Sequence, residues 1–154
     1  MGATRAFVGL GSNLGDREAM LRAALDALAA EPGIEVVAVS SFRETDPVGF
    51  VDQPRFLNAA AALGTTVPPR PLLERLLAIE ASLGRKRDGP PQGPRTIDLD
   101  LLLHGDAELD EPGLRVPHPR LHERRFVLEP LAELDPTLEV PGRGAVKDLL
   151  AGLH

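Results

Sequence analysis

The stretch Gly93–Gly105, GPRTIDLDLLLHG, has the composition of a buried strand except for Asp98 and Asp100. Side chains alternate faces along a strand, so the two carboxylates point one way and Ile97, Leu99 and Leu101 the other. Like charges that close repel and desolvate poorly, so something positive must compensate. Hard divalent cations take oxygen ligands, and a pair of carboxylates can hold two Mg²⁺ roughly 3.5–4 Å apart. The plainer alternative is an exposed edge strand whose aspartates guard against aggregation. Arg95 lies three residues before Asp98, and Arg85, Lys86 and Arg87 lie in the loop before it. Carboxylates beside that many cations suggest Mg²⁺ with a polyphosphate such as ATP.

A second basic cluster, Arg115, His118, Arg120, His122, Arg124 and Arg125, is opposed only by Glu123. Either cluster alone could be a solvated loop; together, in a chain of net charge −6, they look built to hold a small anion. The acidic balance argues against a general nucleic-acid binder. At 154 residues the chain suits one domain, residues 1–154, able to bury roughly 70% of its unfolded surface without disulfides. It contains no cysteine, no apolar run near the ~18 residues of a membrane span, and no signal-peptide-like start. The expectation is a soluble cytoplasmic protein with small-molecule partners, a monomer by default.

The elements that must position these groups can be read from periodicity. Arg5–Ser12 is a first strand. Asp16 caps a helix with the stripe Met20, Leu21, Ala24, Leu25 and Leu28, ending near Pro32-Gly33. Ile34–Phe42 is a second strand, Arg43–Pro54 a polar loop, and Phe56–Leu63 a third strand whose alanines let something pack closely. Pro71–Leu83 is a second helix with Leu72, Leu73, Leu76, Leu77 and Leu83 on one face. After the loop Gly84–Pro94 comes strand four, Thr96–His104. A tail adds an extended piece at Leu114–Pro117, a helix around Glu123–Leu131 and a short element near Val146–Leu153. The order β-α-β-β-α-β predicts an α+β, ferredoxin-like antiparallel sheet with helices packed on one face plus a short C-terminal extension. The other face is left to build a site.

Gly9, Gly11 and Gly15 in GLGSNLGD follow a strand and precede a helix, but their G-x-G-x-x-x-G spacing is not that of a dinucleotide fold. They read mainly as turn residues beside the site. Phe56 and Asn58 share a strand face, where a ring can stack on a flat heterocycle and an amide can satisfy its edge. A core phenylalanine and a turn-capping asparagine are the alternatives. Glu80 falls on the apolar stripe of the second helix, either salt-bridged or touching a nucleotide. His118 alone would more often be a surface or packing histidine.

Seven ordered motifs carry a resemblance. They are GSNLGD (Gly11–Asp16), T-x-P-x-G (Thr45–Gly49), DQP-x-FLN (Asp52–Asn58), Ile79-Glu80, GRKR (Gly84–Arg87), GPRTIDLD (Gly93–Asp100) and VPHPRLHER-x-F (Val116–Phe126). Together, from about Phe7 to Leu134, they resemble the 6-hydroxymethyl-7,8-dihydropterin pyrophosphokinases of folate biosynthesis. That resemblance implies a ferredoxin-like fold and Mg²⁺-dependent transfer of pyrophosphate from ATP to the pterin hydroxymethyl oxygen, releasing AMP. It implies Asp98 and Asp100 as ligands of two Mg²⁺, with Arg85 and Arg95 beside them in catalysis. Glu80, Arg87, Leu101, Arg115, His118 and Arg124 would then meet ATP, and Thr45, Val48, Phe56, Asn58 and Phe126 the pterin. Two departures stand out: Gln92 where some relatives place a tryptophan, and Gly113 where some carry an arginine, with Arg115 two residues on. The loops Val48–Asp52 and Lys86–Gly93 are expected to order over the ligands. Rival readings are a different Mg²⁺-dependent phosphoryl or nucleotidyl transferase, and a nucleotide sensor without turnover.

Overall fold

The carboxylate of Asp16 accepts the Ala19 N–H at 3.1 Å and starts the first helix as its position suggests. A computed structural model describes residues 3–46, 52–84 and 96–153. In chain order these form β1 (Thr4–Ser12), α1 (Arg17–Ala29), β2 (Ile34–Val39), β3 (Arg43–Thr45), β4 (Phe56–Thr65), α2 (Pro69–Ser82) and β5 (Asp98–His104). There follow the hairpin β6 (Leu109–Glu111) and β7 (Leu114–Val116), a 3-10 turn (Leu121–Glu123) and α3 (Arg125–Leu134). A second hairpin, β8 (Glu139–Val140) and β9 (Gly144–Ala145), leads into α4 (Val146–Ala151).

The main sheet runs β2-β4-β1-β5 with every neighbour antiparallel, the strand order of a ferredoxin-like βαββαβ unit. The expected strand Ile34–Phe42 is cut short at Val39. Ser40 still exchanges two bonds with Ala60, its N–H donating to the carbonyl and its hydroxyl accepting the Ala60 N–H, both at 2.9 Å. Beyond it the chain re-pairs with the other end of β4 as β3, inside what reads as a polar loop. Arg-Glu-Thr carries no apolar alternation, so pairing to β4 and polar contacts, among them the ion pairs of Glu44 with Arg17 and Arg55, define that strand. The predicted helix Glu123–Leu131 resolves into the 3-10 turn followed by α3.

Alternation sets two cores. Val8, Leu10, Ala59, Ala61, Leu99 and Leu101 face α1 and α2, where Leu21, Leu28, Leu72 and Leu76 are fully buried. Phe7, Ala60, Ala62, Leu102 and Leu103 face the other way, onto Val127, Leu128 and Leu131 of α3 and Val146 of α4. The expectation that this second face lies open is therefore corrected at one end: α3 and α4 cover it, brought close by the alanines of β4. A register shift in β5 makes that possible. Phe7 pairs with Leu103 and Val8 with Leu101, so Leu102 is an extra residue and both Leu102 and Leu103 turn to the α3 side. Burying each such leucine contributes about 1.5–3 kcal/mol. The end of the face left uncovered holds Asp98 and Asp100.

Candidate active site

The pairing register lays out the floor. Across β4, β1 and β5 one row reads Asn58, Gly11, Asp98 and the next reads Ala60, Gly9, Asp100. Directly opposed residues share a face, so Gly9 and Gly11 leave a strip of bare backbone between β4 and β5, over which the Asn58 amide leans. Gly9 and Gly11 are strand residues and not the turn residues their spacing suggests; only Gly15, at φ +67°, serves a turn. A Cβ on Gly11 would sit 2.8 Å from the Asn58 Oδ1. Their i, i+2 placement, on the face where β5 presents its carboxylates, is the signal that could have shown their role.

On the β4 side of this strip is a recess lined by Thr45, Phe56, Asn58 and Phe126, with Arg124 above and Asp98 and Asp100 at its far wall. Asn58 Nδ2 donates to Thr45 Oγ1, which orients the amide. The Arg124 guanidinium carbon lies 5.5 Å from the centre of the Phe126 ring, a cation–π contact. The four described residues expected to surround the pterin are thus brought together by three elements, β3, β4 and α3.

Their supports were not foreseen. Glu133 of α3 accepts bonds from the Ser41 N–H, the Ser41 hydroxyl and Arg43 at 2.7–2.8 Å, tying the helix to β3. Those bonds hold its carboxyl below the usual range. Buried Asn13 donates to Gln53 Oε1 at 2.8 Å and to the Pro54 carbonyl at 2.9 Å, fixing the chain just before β4. Arg17 joins Glu44 at 2.5 Å and the Arg55 carbonyl at 3.0 Å; the Arg17 hydrogen bond and charge, helped by the Arg55 charge, lower the Glu44 pKa.

On the far side of β5 lies a wide groove lined by Leu73, Leu77, Glu80, Leu101, Arg115, His118 and Arg124, again with Asp98 and Asp100. Leu77 does not join the core as its stripe predicts; it is 41% exposed and, with Leu73, forms an apolar wall of the groove. Arg115, 62% exposed, pairs with Asp110 at 3.1 Å across the β6–β7 hairpin, whose turn places Gly113 at φ +75°. Glu80 is buried at the groove's base, where its Oε2 accepts the Leu99 N–H at 2.7 Å.

The His118 N–H donates to the Leu102 carbonyl at 2.9 Å, which anchors the residue to the bulge in β5. Its Nδ1 accepts the Arg120 N–H at 3.2 Å. That bond assigns the ring proton to Nε2. Burial, then the Arg124 charge, push its pKa down to about 4, with Asp98 opposing and Arg120 assisting. The imidazole is neutral at pH 7 and offers one N–H donor to the groove. Arg85, Arg87, Arg95, Val48 and Gln92, and the two loops expected to close, lie outside the described residues.

A recess that fits a flat amide-bearing ring and a groove that fits an anion thus share three residues, Asp98, Asp100 and Arg124. Known proteins resemble the chain over nearly its whole length. A chain from Methylorubrum extorquens named 2-amino-4-hydroxy-6-hydroxymethyldihydropteridine pyrophosphokinase is 50% identical over 97% of this chain and 94% of its own length. One of the same name from Pseudomonas aeruginosa is 49% identical, over 96% and 90%. A solved Plasmodium falciparum HPPK-DHPS structure with pteroate superposes with a TM-score of 0.76 at 12% identity, covering 98% of this chain but only 44% of that longer protein, and so speaks for the fold. The sequence profile of the family described as 7,8-dihydro-6-hydroxymethylpterin-pyrophosphokinase matches residues 7–136, and the chain belongs to that family.

Proposed function

We propose that this chain is an Mg²⁺-dependent pyrophosphokinase of folate biosynthesis. It moves the β,γ-diphosphate of ATP to the hydroxymethyl oxygen of 6-hydroxymethyl-7,8-dihydropterin. The new bond joins that oxygen to the β-phosphorus, the bond from the β-phosphorus to the α,β-bridging oxygen breaks, AMP leaves with that oxygen, and the hydroxyl proton is released to solvent. The observation that carries this reading is the shared wall: among the described residues, recess and groove meet at Asp98, Asp100 and Arg124, where acceptor and phosphorus must meet.

Asp98 and Asp100 suit a pair of hard cations, being half-buried oxygen donors on one face of one strand, two residues apart. Held by these two carboxylates, Mg²⁺ would neutralise phosphate charge and lower the pKa of the attacking hydroxyl. The protein's own contribution is positioning and charge. Asn58, oriented by Thr45, reads the polar edge of the pterin while Phe56 and Phe126 take its faces. Leu73 and Leu77 offer an apolar wall to the purine base. His118 gives a neutral N–H donor, and Arg115 can exchange Asp110 for phosphate. Arg124, at the junction, neutralises charge on the group in transit, joined in this reading by Arg85, Arg87 and Arg95. In this reading the chain acts as a single monomeric domain supplied by the cytoplasmic ATP pool.

The test is incubation with ATP, Mg²⁺ and the hydroxymethyl-dihydropterin, with nucleotides separated by chromatography. AMP should appear only when the pterin is present. ADP, or AMP formed without pterin, would mark a different transferase, and binding without product a sensor.

A further inference from the structure

We propose that Glu80 is a positioning residue: from helix α2 it holds the peptide joining Asp98 to Leu99, and so fixes the strand that carries the metal-binding carboxylates. The inference rests on the reading above, in which Asp98 and Asp100 hold the metal.

Among the described residues β5 has β1 alone beside it in the sheet and is an edge strand. Half of the N–H groups of such a strand point away from the ladder and need another acceptor. Leu99 N–H is one of these, and the Glu80 carboxylate meets it at 2.7 Å. Leu99 stands between the two aspartates, with its side chain locked in the first core. Glu80 itself sits among buried neighbours, Leu76 and Ile79, and is only 2% exposed. A carboxylate is costly to bury, and packing alone would be served better by a leucine. A negatively charged acceptor on a backbone N–H is stronger and shorter than a neutral one. Here it replaces the missing neighbour strand at one peptide only, the one whose plane sets the direction of Asp98.

Such an arrangement does not suit direct recognition of the nucleotide. One carboxylate oxygen is committed to Leu99, and the residue, at the base of the groove, is only 2% exposed. Its effect on catalysis passes through Asp98 and Asp100. Loss of a supporting bond behind metal ligands typically weakens metal affinity about 10–100-fold.

Glu80→Leu removes the acceptor, Glu80→Asp withdraws it by one methylene, and Glu80→Gln retains an amide oxygen in place. Two readouts need no turnover: exchange of the Leu99 amide proton in metal-free protein by NMR, and Mn²⁺ binding by EPR with α,β-methylene-ATP present. Glu80→Leu and Glu80→Asp should speed Leu99 exchange and weaken Mn²⁺ binding, each at least about tenfold, with Glu80→Gln, a neutral and weaker acceptor, between them and the parent. If Glu80→Leu does not fold, Glu80→Asp carries the same expectation alone. The proposal is overturned if the variants lower the melting temperature but leave Mn²⁺ affinity unchanged. It is also overturned if they weaken metal-free binding of the nucleotide analogue while Leu99 exchange stays as in the parent. Asp98→Asn is run in parallel. Should it leave Mn²⁺ binding intact, the metal reading falls and takes this one with it. Should it abolish binding while Glu80→Asp does not weaken it, only the role of Glu80 falls.

Discussion

The recess and the groove sit on either side of the same two aspartates and are built in opposite ways. The recess encloses about 70 Å³ and the groove about 630 Å³. Around the recess the supports are bonded in advance: Asn58 to Thr45, Asn13 to Gln53 and Pro54, and Glu133 to Ser41 and Arg43. The groove is lined by side chains such as Arg115, tethered only by an exposed ion pair that contributes little. A neutral ring offers its binder only shape and a few hydrogen bonds, so the partner atoms must be fixed before it arrives. A polyphosphate offers charge, which flexible arginines find over a wider range of positions.

The largest effect should come from the wall common to both. Asp98→Asn or Asp100→Asn is expected to lower kcat on the order of 10³-fold. The melting temperature should hardly move, because both carboxylates are half-exposed and add little to the core. Steady-state rates over a range of Mg²⁺ concentrations check this. Near-parental rates at limiting Mg²⁺ would break the division, since neither pocket would then need the shared pair.

Gly11→Ala should come next, and it separates the two regions. The new methyl would press on the Asn58 Oδ1 from 2.8 Å, and both partners belong to paired strands that yield little. Pterin KM should rise at least about tenfold, from the cost of a displaced hydrogen-bonding group, while binding of α,β-methylene-ATP stays within twofold. Gly9→Ala is the control, because its Cβ would meet Leu102 at an ordinary 3.4 Å. Arg115→Ala should do the reverse and more weakly, raising the ATP KM a few-fold, as for an exposed, charge-based contact of about 1 kcal/mol, and leaving the pterin KM alone.

How far each region could be read from the sequence follows the same divide. The parity of Asp98 and Asp100, the Phe56–Asn58 pair and the stripe on α1 are local patterns, and the structure places them as the patterns predict. β3 escapes because its three residues are polar and their strand is imposed by β4. The α3 cover on the second face was missed for a different reason. It depends on one extra residue in β5, and a run of three leucines fits a bulged strand as well as a regular one. Glu80 could be placed on a stripe but not interpreted, since its partner is a backbone N–H nineteen residues on. Gly9 and Gly11 share a parity that the sequence displays, but which face it belongs to follows from their neighbours across the sheet.

The smallest effect expected is a pH dependence confined to the groove. His118 titrates near 4 in the folded chain, against 6.5 for an unperturbed histidine, because it is largely buried beside Arg124. Between those two values the unfolded chain binds a proton that the folded one does not. Stability from this residue is therefore complete above about pH 6.5 and is lost progressively as the pH falls towards 4. His118→Asn removes that proton from the balance, so its urea midpoint should fall less than the parent's between pH 7 and pH 5. The ATP KM of the parent should meanwhile show no inflection near pH 6.5, since the ring stays a neutral Nε2–H donor throughout that range. An inflection there would mean that a charged imidazole holds the phosphates, and the groove would then be a more finely set electrostatic site than its open wall suggests.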